Sequence, residues 1–360
     1  MRITFVVPML EVSGGARIIA GHARRLADRG HEVRIVAPRP PRPSLKQRAR
    51  ALLAGEPLPD PRKDALVALS GVPLYWPRHG GPVAEADVPD ADVIIATWWA
   101  TAEWIWPMSP AKGAKVHFLQ HYEAFPNVPT ARVEAVWRLP TSKIAIAQWL
   151  IDLGRKRFGI RDMALIPNSI DHHLFDGSLR GKSERPTVGF LFHHAGFKDL
   201  PTSLAAIRRL TELRPDIQVI SFGAVQPLAG ELPPNVEFHL LPAQEQIASI
   251  YRRCDAWLST SITEGFNLPP LEAMGSGCPA VCSKTGRPLE IIENGVNGYL
   301  VDQGDAEGFA LAVDSILSLS DEAWRRMSDA ARESVAHPTW EESSALFERA
   351  LIRSVQISRR

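Results

Sequence analysis

The sequence predicts an α/β protein built from two Rossmann-like domains with parallel sheets. Three observations lead there. The first 40 residues read strand, glycine turn, helix, strand, which is a βαβ unit. Short apolar runs such as Asp92-Val-Ile-Ile-Ala-Thr97 and Ile144-Ala-Ile-Ala then recur between helical and turn-rich stretches, the pattern of buried parallel strands. Finally, 360 residues exceed the size at which one core keeps growing, so two domains are expected.

Composition narrows the function. Forty-one basic residues against 40 acidic ones leave a net charge of +1, which gives no electrostatic footprint for nucleic acid. A hydrophobic content of 45% is ordinary for a globular chain, and no apolar run is long enough to cross a bilayer. The opening Met1-Arg-Ile-Thr-Phe-Val-Val-Pro is interrupted by Pro8 and Glu11 and reads as a first buried strand, not a secretion signal. Three cysteines, Cys254, Cys278 and Cys282, form no paired framework and no metal spacing, so a reducing, cytoplasmic setting is expected.

In the first βαβ unit, Ile3 to Val7 is the strand and Ser13-Gly14-Gly15 the turn. Ile18, Ile19, His22, Ala23 and Leu26 mark a helix ended by Gly30, and Glu32 opens the next strand. The turn is not G-x-G-x-x-G, so it matches a dinucleotide fingerprint poorly. Residues 38–63 are rich in proline and arginine. Within them Leu45 to Leu53 reads either as a short basic helix, suited to an anionic membrane or an acidic acceptor, or as a solvated loop. Asp90-Ala-Asp92 spells D-x-D but opens a strand, at the sheet end away from the expected ligand crevice, so no metal role follows. Trp98, Trp99, Trp104 and Trp106 follow that strand at the other end, where indoles suit sugar faces or acyl chains, or serve core packing. Lys115 to Gln120 is a further strand. His117 and His121 are about 13 Å apart along it and cannot share a metal there. Gln148 to Phe158 is a helix.

The second half repeats the alternation. Thr187 to Phe192, Ile217 to Gly223, Val236 to Leu241 and Ala256 to Ser259 are strands, and Gln244 to Cys254 and Trp340 to Arg360 are helical. The stretch Glu264-Gly-Phe-Asn-Leu-Pro-Pro-Leu-Glu272 is the centre of the chain. Its two prolines suit a first helical turn, Asn267 is a plausible cap, and residues 275–279 end the helix. The amides of Phe266, Asn267 and Leu268 would then face out of a helix start, which favours an anion. Carboxylates lie before and just inside that turn. An anion flanked by diols, as in a sugar nucleotide, fits this arrangement.

The E-x7-E spacing followed by Ala-Met-Gly-Ser-Gly-Cys-Pro-Ala-Val resembles the donor-site signature of retaining GT-B glycosyltransferases of family 4 (glycosyl transferases group 1). The resemblance extends to Ser13-Gly14-Gly15, to the linker-like Leu165-Ile-Pro-Asn-Ser-Ile-Asp and to Asn294-Gly-Val-Asn-Gly. It implies two Rossmann-like domains facing each other across a cleft: residues 1–172 on the acceptor side, 173–340 binding the nucleotide sugar, and 341–360 as a helix crossing back. It also implies roles. Glu264 would hydrogen-bond the transferred sugar, the backbone of Gly265, Phe266, Asn267 and Leu268 would hold sugar and phosphate oxygens, and Glu272 would take the ribose diol. Gly14 and Gly15 would face the donor diphosphate, His121 would donate to the sugar or leaving phosphate, and Trp98, Trp99, Tyr122 and Glu123 would line the acceptor side. Lys198 would neutralise the diphosphate. The arginine expected beside it is absent, because Phe190 follows Gly189; His193, His194, Arg287 or Lys284 would have to compensate.

The implied activity is metal-independent, retaining transfer from a UDP-, GDP- or dTDP-sugar to a glycan or lipid-linked acceptor in surface polysaccharide or glycoconjugate synthesis. Peripheral contact with the inner membrane face and no nucleic-acid partner are expected. A sugar-nucleotide epimerase and a non-catalytic sugar-nucleotide-binding protein are the alternatives.

Overall fold

The computed structural model describes residues 1–9, 14–39, 44, 48, 52, 70–77, 81–177 and 180–359. Ser13 of the predicted glycine turn, and the basic stretch over 45–53 apart from positions 48 and 52, lie outside them. The chain divides into two compact units: Met1–Pro167 with Glu341–Arg360, and Asn168–Trp340. No helix among the described residues is long and apolar enough to cross a membrane.

Among its described residues the first unit carries β1 (Arg2–Val6), β2 (Glu32–Val36), β3 (Leu74–Tyr75), β4 (Val93–Ala96), β5 (Ala114–Leu119), β6 (Ser142–Ala145) and β7 (Ala164–Leu165). They pair in parallel in the order β3-β2-β1-β4-β5-β6-β7. Phe5 stands in register with Ile35 on one side and Ile95 on the other, and all three are fully buried. Burial on both faces is why β4, Val-Ile-Ile-Ala, reads as an unbroken apolar run. The helices are α1 (Gly14–Asp28), α2 (Trp99–Ile105), α3 (Thr130–Trp137) and α4 (Gln148–Phe158). α1 begins at Gly14, so the two glycines form its first turn and not a turn ahead of it. At that end the amides have no intrahelical acceptor, and the poor helix propensity of glycine matters least. The last helix, Trp340–Ser358, lays Phe347 against Phe5 and over the His22 ring, at 4.4 Å between the latter centroids. Burial lowers the His22 pKa to about 3, so it packs there as a neutral aromatic ring. Asp90 and Asp92 sit at the amino end of β4, where Asp90 pairs with Lys112 at 2.9 Å and Asp92 accepts the Arg2 amide at 2.7 Å.

The second unit carries β8 (Thr187–Leu191), β9 (Gln218–Gly223), β10 (Val236–Leu240), β11 (Ala256–Ser259), β12 (Ala280–Ser283) and β13 (Gly298–Val301), parallel in the order β10-β9-β8-β11-β12-β13. Its helices are α5 (Leu200–Leu213), α6 (Gln244–Arg253), α7 (Leu268–Gly275), α8 (Pro288–Ile291), α9 (Ala306–Leu317) and α10 (Asp321–Val335). The strand order reverses between β8 and β11, whose residues Phe190 and Leu258 are in register. The loops leaving the carboxyl ends of these two strands therefore start side by side, where open α/β sheets hold ligands.

Gly189 corrects one expectation. It lies inside β8, opposite Trp257, and a Cβ there would overlap the indole ring. Phe190, the next residue, is fully buried. This glycine is thus a packing position within the strand, and the residue after it is not placed to bind a phosphate. The chain leaves the strand only after Leu191, and its first exposed residue is His193. Gly189→Ala is expected to destabilise the protein by about 1–3 kcal/mol, since Trp257 is fully buried and cannot yield. Urea unfolding measures this; an unchanged midpoint would contradict the packing account.

Candidate functional site

The loop after β11 is shaped by its own residues. Asn267 adopts a left-handed conformation (φ 70°) ahead of α7, and its side chain does not cap the helix as expected. Its Nδ2 instead donates to Ser259 Oγ at 3.0 Å, tying the loop back to the end of β11. Pro269 and Pro270 lie in the first turn of α7, where a missing N–H costs nothing. The amides of Phe266, Asn267 and Leu268 donate to no described backbone or side chain. Gly265 and the Phe266 side chain are buried, and the Phe266 carbonyl accepts the Arg287 amide at 2.8 Å. Gly286 makes that approach possible: at φ +63° it has no Cβ to meet the Phe266 carbonyl and Glu264 Cβ. The result is a supported loop with three donors left at a helix start, where the dipole favours negative charge.

Three loops meet at Glu264, those after β8, β11 and β12. Its Oε1 accepts from Lys198 Nζ at 2.5 Å and from Ser261 Oγ at 2.8 Å, and its amide donates to Thr285 Oγ1 at 3.1 Å. Lys198 ends a short turn, Gly196–Lys198, in the loop after β8. The side chains of the pair are only 16% and 10% exposed. The cation expected at a phosphate and the acid expected at a sugar are therefore one ion pair beside the helix start. Glu272 lies within α7, half-buried, with Oε2 accepting the Tyr251 phenol at 3.1 Å. Tyr251 comes from α6 and is fully buried, and burial pushes its phenol pKa well up, so it remains a donor to Glu272.

Other basic side chains of this unit already have partners. Arg287 pairs with Glu290 and Lys284 with Asp302, each at 2.7 Å. His194 turns to Glu231 at 2.7 Å, and His239 to Glu237 at 2.8 Å.

In the first unit, Gly14 and Gly15 open α1 after β1, and Gly15 lies against the Gln120 side chain at the end of β5. His121 follows Gln120. Its Nδ1 accepts the Glu123 amide at 3.0 Å, which puts the ring proton on Nε2, and burial lowers its pKa to about 4. It is thus neutral, with an N–H to donate, across the ordinary pH range. His121 stacks on Phe125 at 4.8 Å, Phe125 on Trp98 at 6.1 Å, and Trp149 meets His121 edge-on at 5.7 Å. These four half-buried rings form one aromatic cluster at the carboxyl ends of β4, β5 and β6. Phe125 and Trp149 were not singled out in the sequence. Phe125 is within the stretch that carries His121, and Trp149 opens α4, where nothing distinguishes it from a core residue.

Three expected acceptor-side residues have partners within the first unit. Trp99 is buried beneath the Arg132 guanidinium, 4.8 Å from its ring. Glu123 is 1% exposed at φ 69° and accepts the Trp99 amide at 2.6 Å, so it anchors α2. Burial raises its pKa well above the usual carboxylate range. Tyr122 donates to Glu134 at 3.0 Å and packs on Trp137 and Phe158. Of the expected acceptor-side residues, Trp98 alone joins the aromatic cluster.

A family model described as glycosyl transferases group 1 matches residues 179–334, and one described as glycosyltransferase family 4 matches residues 12–174. The chain is 39% identical over 89 residues to sucrose synthase of Acidithiobacillus caldus, covering 24% of this chain and 11% of that protein. It is 37% identical over 95 residues to N-acetyl-alpha-D-glucosaminyl L-malate synthase of Bacillus anthracis, covering 26% of this chain and 25% of that one. The chain thus spans a quarter or less of the length of these relatives in the matched regions. Among solved structures, sucrose-phosphate synthase from Thermosynechococcus elongatus superposes with a TM-score of 0.74 at 17% identity, over 99% of this chain and 100% of that one. Anabaena HepE in complex with UDP and glucose gives 0.73 at 16%, over 98% and 100%.

Proposed function

The chain belongs to the family-4 (group 1) glycosyltransferases and has their GT-B fold, and from that premise we propose that it moves a sugar from a nucleotide-diphosphate sugar to a glycan or lipid-linked acceptor with retention of configuration. The observation that carries this reading is the Lys198–Glu264 pair beside three helix-start amides that donate to no described residue, with Glu272 in the same helix. The amides and Lys198 receive the charge that develops on the departing diphosphate, which preorganised donors do without a metal Lewis acid. Glu264 holds hydroxyls of the transferred sugar, and Glu272 takes the ribose diol with Tyr251 fixing its rotamer. His121 offers Nε2–H to the sugar or leaving phosphate. The leaving phosphate takes the proton of the acceptor hydroxyl, which enters on the same face. The Trp98–Phe125–His121–Trp149 cluster supports an acceptor with flat apolar faces, such as a sugar ring. Buried free thiols suit a reducing compartment, and we assign the reaction to the cytoplasm, at or near the inner membrane face.

Thermal-shift titration with UDP-, GDP- and dTDP-sugars tests the reading, since a bound donor stabilises by RT ln(1 + [L]/Kd). One of them is expected to raise the melting temperature. Glu272→Ala is expected to weaken that donor by about 10- to 100-fold through loss of a charged hydrogen-bond acceptor, with little change in kcat at saturation. No shift with any donor would sink the proposal. Isomerisation of the donor without an acceptor would make the protein an epimerase, and binding without hydrolysis or transfer a sugar-nucleotide-binding protein.

A further inference from the structure

We propose that His193 is a phosphate-binding residue of this site and serves the donor diphosphate as a neutral N–H donor, not as a cation; the proposal rests on the site's being a sugar-nucleotide site. Charge counting identifies the need. Lys198 is matched by Glu264 at 2.5 Å, so the pair carries no net charge, while each phosphate of the donor brings a negative one. The helix start contributes about half a positive charge. Arg287, Lys284 and His194 are held by Glu290, Asp302 and Glu231. His193 is the first exposed residue beyond β8, in the loop that carries Lys198, and its ring lies beside Phe197.

The form of the ring follows from its surroundings. Nδ1 accepts the Ala195 amide at 3.0 Å, which assigns the proton of the neutral imidazole to Nε2. The charged and titratable groups acting on it are Lys198, His194 and Glu264. Partial burial and then Lys198 lower its pKa, and Glu264 opposes them without reversing the direction. Protonating Nδ1 would also break the Ala195 bond. The Ala195 bond and the lowered pKa together favour the neutral ring with one donor, Nε2–H. The site therefore grips the diphosphate with one cation that is already paired, a set of amides and one imidazole.

The test measures affinity of the full chain at pH 6 and pH 8 for whichever of UDP-, GDP- and dTDP-glucose stabilises it most. The phosphates of a sugar nucleotide stay ionised across that range, so any pH slope belongs to the protein. The wild type is expected to bind equally at both values, within about twofold. His193→Ala is expected to weaken the sugar nucleotide about tenfold, the loss of a hydrogen bond to a charged group, while leaving binding of the matching nucleoside monophosphate nearly unchanged. His193→Arg is expected to restore or exceed wild-type affinity by adding the missing charge. Should the alanine variant fail to fold, His193→Asn keeps an acceptor for the Ala195 amide but is too short to reach a phosphate, and the same tenfold loss is expected. Unchanged affinity in these variants would overturn the proposal while Glu272→Ala still lost binding. A tenfold gain in wild-type affinity from pH 8 to pH 6, absent in His193→Ala, would overturn it in favour of an imidazolium. Failure of the wild type to bind any donor would overturn the site reading and this proposal together.

Discussion

Glu264→Ala is expected to lower kcat for transfer by about two to three orders of magnitude while changing the KM for donor far less. The carboxylate sits where the loops after β8 and β11 converge, held through one oxygen by Lys198 and Ser261. That grip fixes the direction of the other oxygen without requiring ligand contacts to orient it. A sugar hydroxyl bound there is placed relative to the leaving phosphate before reaction begins, and placement of that kind is realised in the transition state. Alanine removes both the contact and the partner of Lys198. Glu264→Gln keeps an oxygen for Lys198 and Ser261 but drops the charge, so an intermediate loss is expected. Single-turnover kinetics at saturating donor separate these effects from binding. A kcat within threefold of wild type for the alanine variant would remove Glu264 from the reaction.

The fold was legible because buried parallel strands leave a plain mark. Val93–Ala96 is covered on both faces, so apolar residues run through it without alternation. The helix start at 268 was legible for a related reason: paired prolines, a glycine and an asparagine leave few other conformations for that stretch. Partnerships across the sequence were not legible. Lys198 and Glu264 are 66 positions apart, and their pairing depends on β8 and β11 being neighbours at the point where strand order reverses. Nor does a sequence say which of two adjacent tryptophans turns inward. Trp99 does so because the buried Glu123 carboxyl takes its amide and pins the start of α2, leaving Trp98 toward Phe125. Gly189 was legible as a strand residue but not as a packing hole, because the ring that fills the space, Trp257, lies on the neighbouring strand.

Replacing Lys198 with methionine is expected to cost as much in turnover as removing Glu264, about two to three orders of magnitude, for a different reason. Lys198 is the cation assigned to the diphosphate in this reading, and diphosphate departure concentrates negative charge beside it. Methionine keeps an apolar stem and deletes the ammonium, which lies 5.6 Å from the centre of the Phe197 ring. The variant also leaves the Glu264 carboxylate, with 10% of its side chain exposed, facing Ser261 alone. Stranding a largely buried charge costs about 3–5 kcal/mol where water is fully excluded, and less at the solvent access seen here. The two losses are separable. In a double-mutant cycle, Lys198→Met with Glu264→Gln is expected to recover part of the stability lost by Lys198→Met alone, because no buried charge remains without a partner. Turnover is not expected to recover. Urea unfolding and single-turnover rates on the four proteins of the cycle give both numbers. Strictly additive losses in stability would mean that the ion pair is not formed in solution, and full turnover in Lys198→Met would mean that the leaving charge is carried by the amides alone.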